Sequence, residues 1–186
     1  MRGFFSYKLK LSFLRLKCLN FQMRFLWWRS KIEIYTDGSY KQGLGSWAYV
    51  IVKNGVMVHE ASGRVQKTSS HRMEFQAAIE ALKSLSPKTK AILYSDSKIL
   101  VQTVNIWMQV WHRNQWCKKK NSPIANLDQI QALHQLQQNH QISWQWIKAH
   151  SGIHFNERCD ELCFLARTKS REKSQLFVNL NSKSIS

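Results

Sequence analysis

A chain of 186 residues has room for one domain with a sizeable core and none for a second full domain. Its formal net charge of +17, from 28 Lys plus Arg against 11 Asp plus Glu, points to a polyanionic partner, nucleic acid before anionic membrane. No apolar run reaches the ~18 residues of a membrane span, and four cysteines without a CxxC pair argue for free thiols in a reducing compartment, the cytoplasm by default.

The charge is unevenly spread: residues 1–30 carry seven basic groups and no acid, residues 169–186 four against one, and the middle seventeen against ten. Residues 1–30 interleave Phe4, Phe5, Phe13, Leu14, Phe25, Leu26, Trp27 and Trp28 with Arg and Lys. That suits an organelle-targeting peptide, a basic amphipathic arm or a translated leader, with Met23 as an internal start. Residues 31–168 read as the folded domain, and residues 169–186, rich in Ser, Asn and Lys, as a disordered polar tail.

The first strand is Lys31 to Ser39, in which Ile32, Ile34 and Thr36 share one face and Glu33, Tyr35 and Asp37 the other. It is expected to end at Asp37-Gly38. Trp47–Val52 and Val56–Val58 flank Asn54-Gly55, a hairpin signal because both turn residues tolerate positive φ. Thr68-Ser69-Ser70 supplies a helix N-cap, and Phe75, Ala78, Ile79, Leu82 and Leu85 form the apolar stripe of the helix that follows. The strand Ala91–Tyr94 leads into Ser95-Asp96-Ser97, and its crossover from the first strand makes the two parallel. A helical run from Lys98 carries Trp107 and Trp111 on one face, and basic residues follow Trp116. A helix striped with Leu127, Ile130, Leu133 and Leu136, the strand Ile142–Ile147, the loop Ala149–Gly152 and a helix from about Asn156 to Arg167 complete the domain.

The acids are oddly placed for so basic a chain. Asp37 and Asp96 stand at like ends of parallel strands, where open α/β sheets bind ligands. Glu74 lies within about 20° of Ala81 and Leu85 on a wheel of 100° per residue, so it runs along the edge of a buried face. Asp160 lies early in the last helix. A carboxylate facing a core needs a partner or a metal, and clustered carboxylates without matching Cys or His suit Mg²⁺ or Mn²⁺. Two such ions can drive in-line phosphodiester cleavage. Cys159 and Cys163, four apart, read as small buried thiols.

Tyr35-Thr36-Asp37-Gly38-Ser39, Arg72-Met73-Glu74, Ser95-Asp96-Ser97, Trp144 to Gly152 and Asn156-Glu157-Arg158-Cys159-Asp160-Glu161-Leu162 together resemble type 1 ribonuclease H, in the family's element order. The resemblance implies an α/β ribonuclease H-like fold, a five-stranded mixed sheet of three antiparallel and then parallel strands flanked by helices. It further implies a Mg²⁺-dependent endonuclease, with Mn²⁺ as substitute, that cuts the RNA strand of RNA–DNA hybrids and leaves 5′-phosphate and 3′-hydroxyl ends, as in primer removal. Asp37, Glu74, Asp96 and Asp160 match the family's metal-binding carboxylates, and His150 its loop histidine, which assists proton movement or product departure.

Trp107, Trp111, Lys118, Lys119 and Lys120 match the basic protrusion of the bacterial enzymes, and Ser69, Ser70 and His71 stand at the helix start that meets the hybrid. The chain departs from the family at Tyr40–Gly45, at Ser70-His71 and at Lys98, where glutamine is common. The reading takes the protein as a monomer whose partner is the hybrid, with no membrane role. Two rivals are a non-catalytic hybrid-binding protein and another nuclease or transferase on the same fold.

Overall fold

The computed structural model describes residues 31–118 and 122–182, the stretch from 169 as backbone alone. Five strands form one sheet in the order β3-β2-β1-β4-β5: β1 Ile32–Lys41, β2 Leu44–Lys53, β3 Val56–Gln66, β4 Lys90–Ser95 and β5 Gln141–Trp146. The first three are antiparallel neighbours, whereas β4 and β5 add in parallel. This is the mixed sheet that the sequence implies.

Both faces of the sheet are covered, as the near-continuous burial along β1 and β2 requires. Ile34, Tyr49, Ile51 and Leu93 point into one core with Phe75, Ala78 and Leu82 of α1 (Ser70–Lys83) and Ile130 and Leu133 of α3 (Leu127–Gln137). The alternate residues Tyr35, Ala48, Val50 and Val52 point into a second core, closed by Cys159, Leu162 and Cys163 of α4 (His154–Ser182). Side chains one apart on a strand thus serve different layers.

Both hairpins turn on residues with positive φ. Asn54 and Gly55 have φ of 54° and 81°, the turn expected. Gln42 and Gly43, with φ of 53° and 82°, form a second one within the stretch where the chain departs from its family. That turn lengthens β1. The strand does not end at Asp37-Gly38 as the sequence reading has it, because Gly38–Lys41 pair with Leu44–Trp47 of β2.

Between β4 and β5 the chain runs through a helix from Lys98 to Arg113 whose middle, Thr103–Trp107, is π-helical. Its α-helical halves are Lys98–Gln102 and α2, Met108–Arg113. Ser97 caps its start by accepting from the Leu100 N–H at 3.3 Å.

Helix α4 extends to Ser182, beyond the end expected at Arg167 and through most of the stretch 169–186 read as a disordered tail. Neither Gly nor Pro occurs between His154 and Ser182, so no residue there breaks the helix. The basic leader 1–30 lies outside the described residues. Among the described residues, no helix is long and apolar enough to cross a membrane.

Candidate active site

Asp37 and Asp96 stand where β1 and β4 part. The parallel pairing stops at Thr36 opposite Ser95, and the next residue on each strand is an aspartate. Glu74 reaches the same place from the first turns of α1, and Gly38 makes this approach possible. A Cβ on Gly38 would lie 2.6 Å from Glu74 Cα and closer still to the Glu74 nitrogen and the Met73 carbonyl carbon. Only a residue without a side chain lets the helix backbone rest on the strand at that point. The helix start is fixed by Ser69, whose Oγ accepts from the Arg72 N–H at 3.4 Å, and by the Arg72 guanidinium, paired with both Asp128 oxygens at 2.9 and 2.6 Å.

Asp37, Glu74 and Asp96 each offer one carboxylate oxygen, and these oxygens lie within 4.8 Å of one another. Asp37 and Glu74 are both 8% exposed, and Asp37 Oδ2 and Glu74 Oε2 are buried without a hydrogen-bond partner. Burial first, and then the charge of Asp96, pushes the Asp37 carboxyl up to about 6. Glu74 is held well above the usual carboxylate range by burial and by Asp37 and Asp96. Asp96 is raised by burial too, against the hydrogen bond it accepts from Asn156. Two orphaned carboxylate oxygens facing a third carboxylate concentrate negative potential at this point. An all-oxygen set of this kind fits a hard divalent cation.

Asp160 does not join this group of three. Its side chain is 47% exposed at the rim, with Oδ2 3.4 Å from His150 Nδ1, although its charge still raises Asp37 and Asp96. His150 is 78% exposed, on a loop where its own φ is 49° and that of Gly152 is 80°. Ser151 Oγ donates to the Lys148 carbonyl at 2.7 Å and Glu157 accepts from the Gly152 N–H at 3.0 Å, so both sides of the loop are tied down while the imidazole stays outside.

The sequence profile of the RNase H family matches residues 29–168. The chain belongs to the RNase H family. It is 41% identical over 136 residues to the ribonuclease H of Hahella chejuensis, an alignment covering 72% of this chain and 91% of that protein. The ribonuclease H of Caldanaerobacter subterraneus is likewise 41% identical over 134 residues, 70% of this chain and 87% of the relative. The chain is thus an enzyme, a ribonuclease H. Among solved structures, LC9-RNase H1, described as a type 1 RNase H with the type 2 active-site motif, superposes with a TM-score of 0.65 at 22% identity, over 74% of this chain and 72% of that one. LC11-RNase H1, solved in complex with an RNA/DNA hybrid, superposes with a TM-score of 0.53 at 18% identity, over 73% and 99% of the two chains.

Against that family background, one residue at the site carries no role in the sequence reading. Asn156 is 4% exposed, donates from Nδ2 to Asp96 Oδ2 at 3.5 Å, and leaves Oδ1 buried without a partner. The available signal was its position one helical turn before Asp160. The two thiols also find a place: Cys159 Sγ donates to the Tyr35 carbonyl at 3.3 Å and Cys163 Sγ to the Asp37 carbonyl at 3.5 Å, which fastens α4 to the strand that bears the acid. Burial raises both thiols, so neither serves as a nucleophile.

The other candidate contacts of this ribonuclease H lie apart from the acids or beside them. Ser69, Ser70 and His71 are exposed at the start of α1. Trp107, 47% exposed, stacks on the half-buried Trp111 with ring centroids 6.3 Å apart, and Lys118 Nζ lies 5.7 Å from the Trp111 ring. Trp111 and Trp116 also pack against the core, so this ridge serves structure as well as surface. Lys119 and Lys120 lie outside the described residues.

Proposed function

We propose that this ribonuclease H hydrolyses the RNA strand of RNA–DNA hybrids with two divalent ions, Mg²⁺ or Mn²⁺, and leaves 5′-phosphate and 3′-hydroxyl ends. The observation that carries the reading is the convergence of Asp37, Glu74 and Asp96 with two buried, unpartnered oxygens. Those three acids and Asp160 would hold the ions, which when bound supply Lewis acidity and an activated water. Asn156 holds the Asp96 carboxylate in place. Asp160 keeps the His150 imidazole at the rim, where a proton can pass to a departing oxygen or a product can be helped away.

The substrate side of the reading has separate support. The hybrid in the LC11-RNase H1 structure belongs to a protein of the same fold. Net charge of +17 favours a polyanion, and the Trp107–Trp111 stack with Lys118 offers a backbone-gripping ridge. Primer removal by a cytoplasmic monomer is the cellular role that fits this chemistry.

The test is cleavage of matched hybrid, duplex RNA, duplex DNA and single-stranded RNA with Mg²⁺ and with EDTA. Metal-dependent loss of the RNA strand from the hybrid alone is the expected result. Cleavage in EDTA, equal cutting of duplex DNA, or wild-type rates in Asp37→Asn and Asp96→Asn would refute the assignment.

A further inference from the structure

Helix α4 meets the sheet through hydrogen bonds from three side chains spaced four residues apart. Cys159 Sγ donates to the Tyr35 carbonyl at 3.3 Å, Cys163 Sγ to the Asp37 carbonyl at 3.5 Å, and Arg167 Nη1 to Ser46 Oγ at 2.7 Å. Ser46 is fully buried on β2 and pairs with Ser39, so the three bonds fall at Tyr35, at Asp37 and beside Ser39. Four residues of helix advance about 6 Å and two residues of strand about 7 Å, so the bonds keep step along β1 with Asp37 in the middle. Thiols are weak donors, whereas a guanidinium is always charged and can only donate. Of the three bonds, the one from Arg167 is therefore the strong one, and it holds Ser46 Oγ as an acceptor beside the Cys163 thiol.

We propose that Arg167 is a positioning residue for the reaction: by clamping Ser46 it fastens the β1–β2 pair to α4 and keeps the Asp37 carboxylate in the group of three acids. The proposal rests on the hydrolase reading above. Support is needed at this point because β1 loses its β4 neighbour after Thr36. From Asp37 onward the strand has β2 beside it and α4 against one face, and Gly38 bears directly on the backbone of Glu74. A shift of this strand end would displace Asp37 and disturb Glu74 with it. A separate tie offers a comparison: the Arg158 guanidinium donates to both Glu60 oxygens at 2.9 and 2.7 Å and holds the same helix to the edge strand β3, which bears none of the site's acids.

The test titrates Mg²⁺ against the Tm of the full chain without substrate, so that it reads ion affinity apart from turnover. Arg167→Met keeps the length of the side chain and removes its donors. It is expected to raise the Mg²⁺ midpoint about 10-fold, the equivalent of one charge-assisted hydrogen bond, and to lower kcat on the hybrid by a similar factor at a fixed Mg²⁺ concentration below that midpoint. KM, and the Kd for the hybrid in EDTA, are expected to stay at the wild-type values, because Arg167 acts through Asp37 and not on the nucleic acid. Arg167→Lys recovers most of the loss, since an ammonium can still donate to Ser46. Ser46→Ala reproduces the shift, and combining it with Arg167→Met adds nothing further. Glu60→Gln, which frees α4 from β3, lowers the metal-free Tm and leaves the Mg²⁺ midpoint in place. An unchanged midpoint in Arg167→Met overturns the proposal, as does an equal shift in Glu60→Gln, which would mean general loosening of the helix. A variant too unstable to titrate is replaced by Arg167→Lys against Ser46→Ala, where wild-type midpoints in both overturn it equally. If the wild-type protein fails to cut the hybrid with Mg²⁺, the hydrolase reading falls by that result, separately from the Tm titration.

Discussion

Asp37→Asn should abolish cleavage and at the same time make the metal-free protein more stable. Asp37 is 8% exposed beside two other acids, and its carboxyl is pushed from 3.8 to about 6. At 1.36 kcal/mol per tenfold in proton affinity, holding it ionised at pH 7.5 costs the fold about 3 kcal/mol relative to the unfolded chain. Asparagine keeps the shape, removes the charge and offers an N–H to Glu74 or Asp96. With ~2–4 °C of Tm per kcal/mol for a chain of this size, the gain amounts to about 6–12 °C.

The pH dependence has a fixed sign. Between pH ~4 and ~6 the folded protein binds a proton that the unfolded chain has released, so stability falls as pH rises through that window and levels off above it. The advantage of Asp37→Asn should accordingly be largest above pH 6 and shrink toward pH 4. Thermal unfolding in EDTA at pH 4, 5.5 and 7.5, paired with hybrid cleavage in Mg²⁺, measures both effects. A Tm at or below wild type at pH 7.5, or an equal gain at every pH, would refute the electrostatic account of the site.

Mg²⁺ at millimolar concentrations should raise the wild-type Tm, because an ion that binds only the folded state stabilises it by mass action, and the rise should vanish in Asp37→Asn; equal rises in both proteins by scanning fluorimetry would count against the acids as ligands. Gly38→Ala should lower stability by at least about 3 kcal/mol, as backbone and not a flexible side chain meets the new Cβ; denaturant unfolding with a change under 1 kcal/mol would show that α1 can move off β1. His150→Ala should slow hybrid cleavage about 10²-fold with almost no shift in Tm, since the ring is 78% exposed; single-turnover and steady-state rates distinguish a proton role from product release. Replacing Trp107 with Ala should weaken hybrid binding by a few-fold with little loss of stability, as the exposed member of the stacked pair is removed and Trp111 stays packed; a Tm drop of ~10 °C would make the ridge structural.

The acids were legible because they broke a local rule. Asp37, Glu74 and Asp96 each stand where an apolar or capping residue would be ordinary, and in a chain with so few acids that oddity points to a common purpose. Asn54-Gly55 was legible for a comparable reason, since few pairs accept two positive φ angles. Gln42-Gly43 makes the same kind of turn, but glutamine carries no such preference, so the place of that turn and the extra length of β1 stayed hidden although the antiparallel pairing was expected. A helical run from Lys98 was legible through Trp107 and Trp111 on one face, yet a spacing of four does not disclose the π segment at Thr103–Trp107. The exposed rim position of Asp160, outside the group of three, depends on where α4 begins and how it tilts, which a wheel of residues does not encode.

The π segment at Thr103–Trp107 contains one residue more than an α-helix would use for that span, and the Met108 N–H closes it by reaching back to the Thr103 carbonyl. Wound as regular α-helix, that extra residue would rotate everything downstream by about 100° about the axis. Met108 would leave the interior, and Trp107 and Trp111 would face a new direction. The wide turn thus absorbs a surplus residue while the screw keeps its phase, so a single-codon deletion within it would restore regular winding and leave the ridge facing where it does.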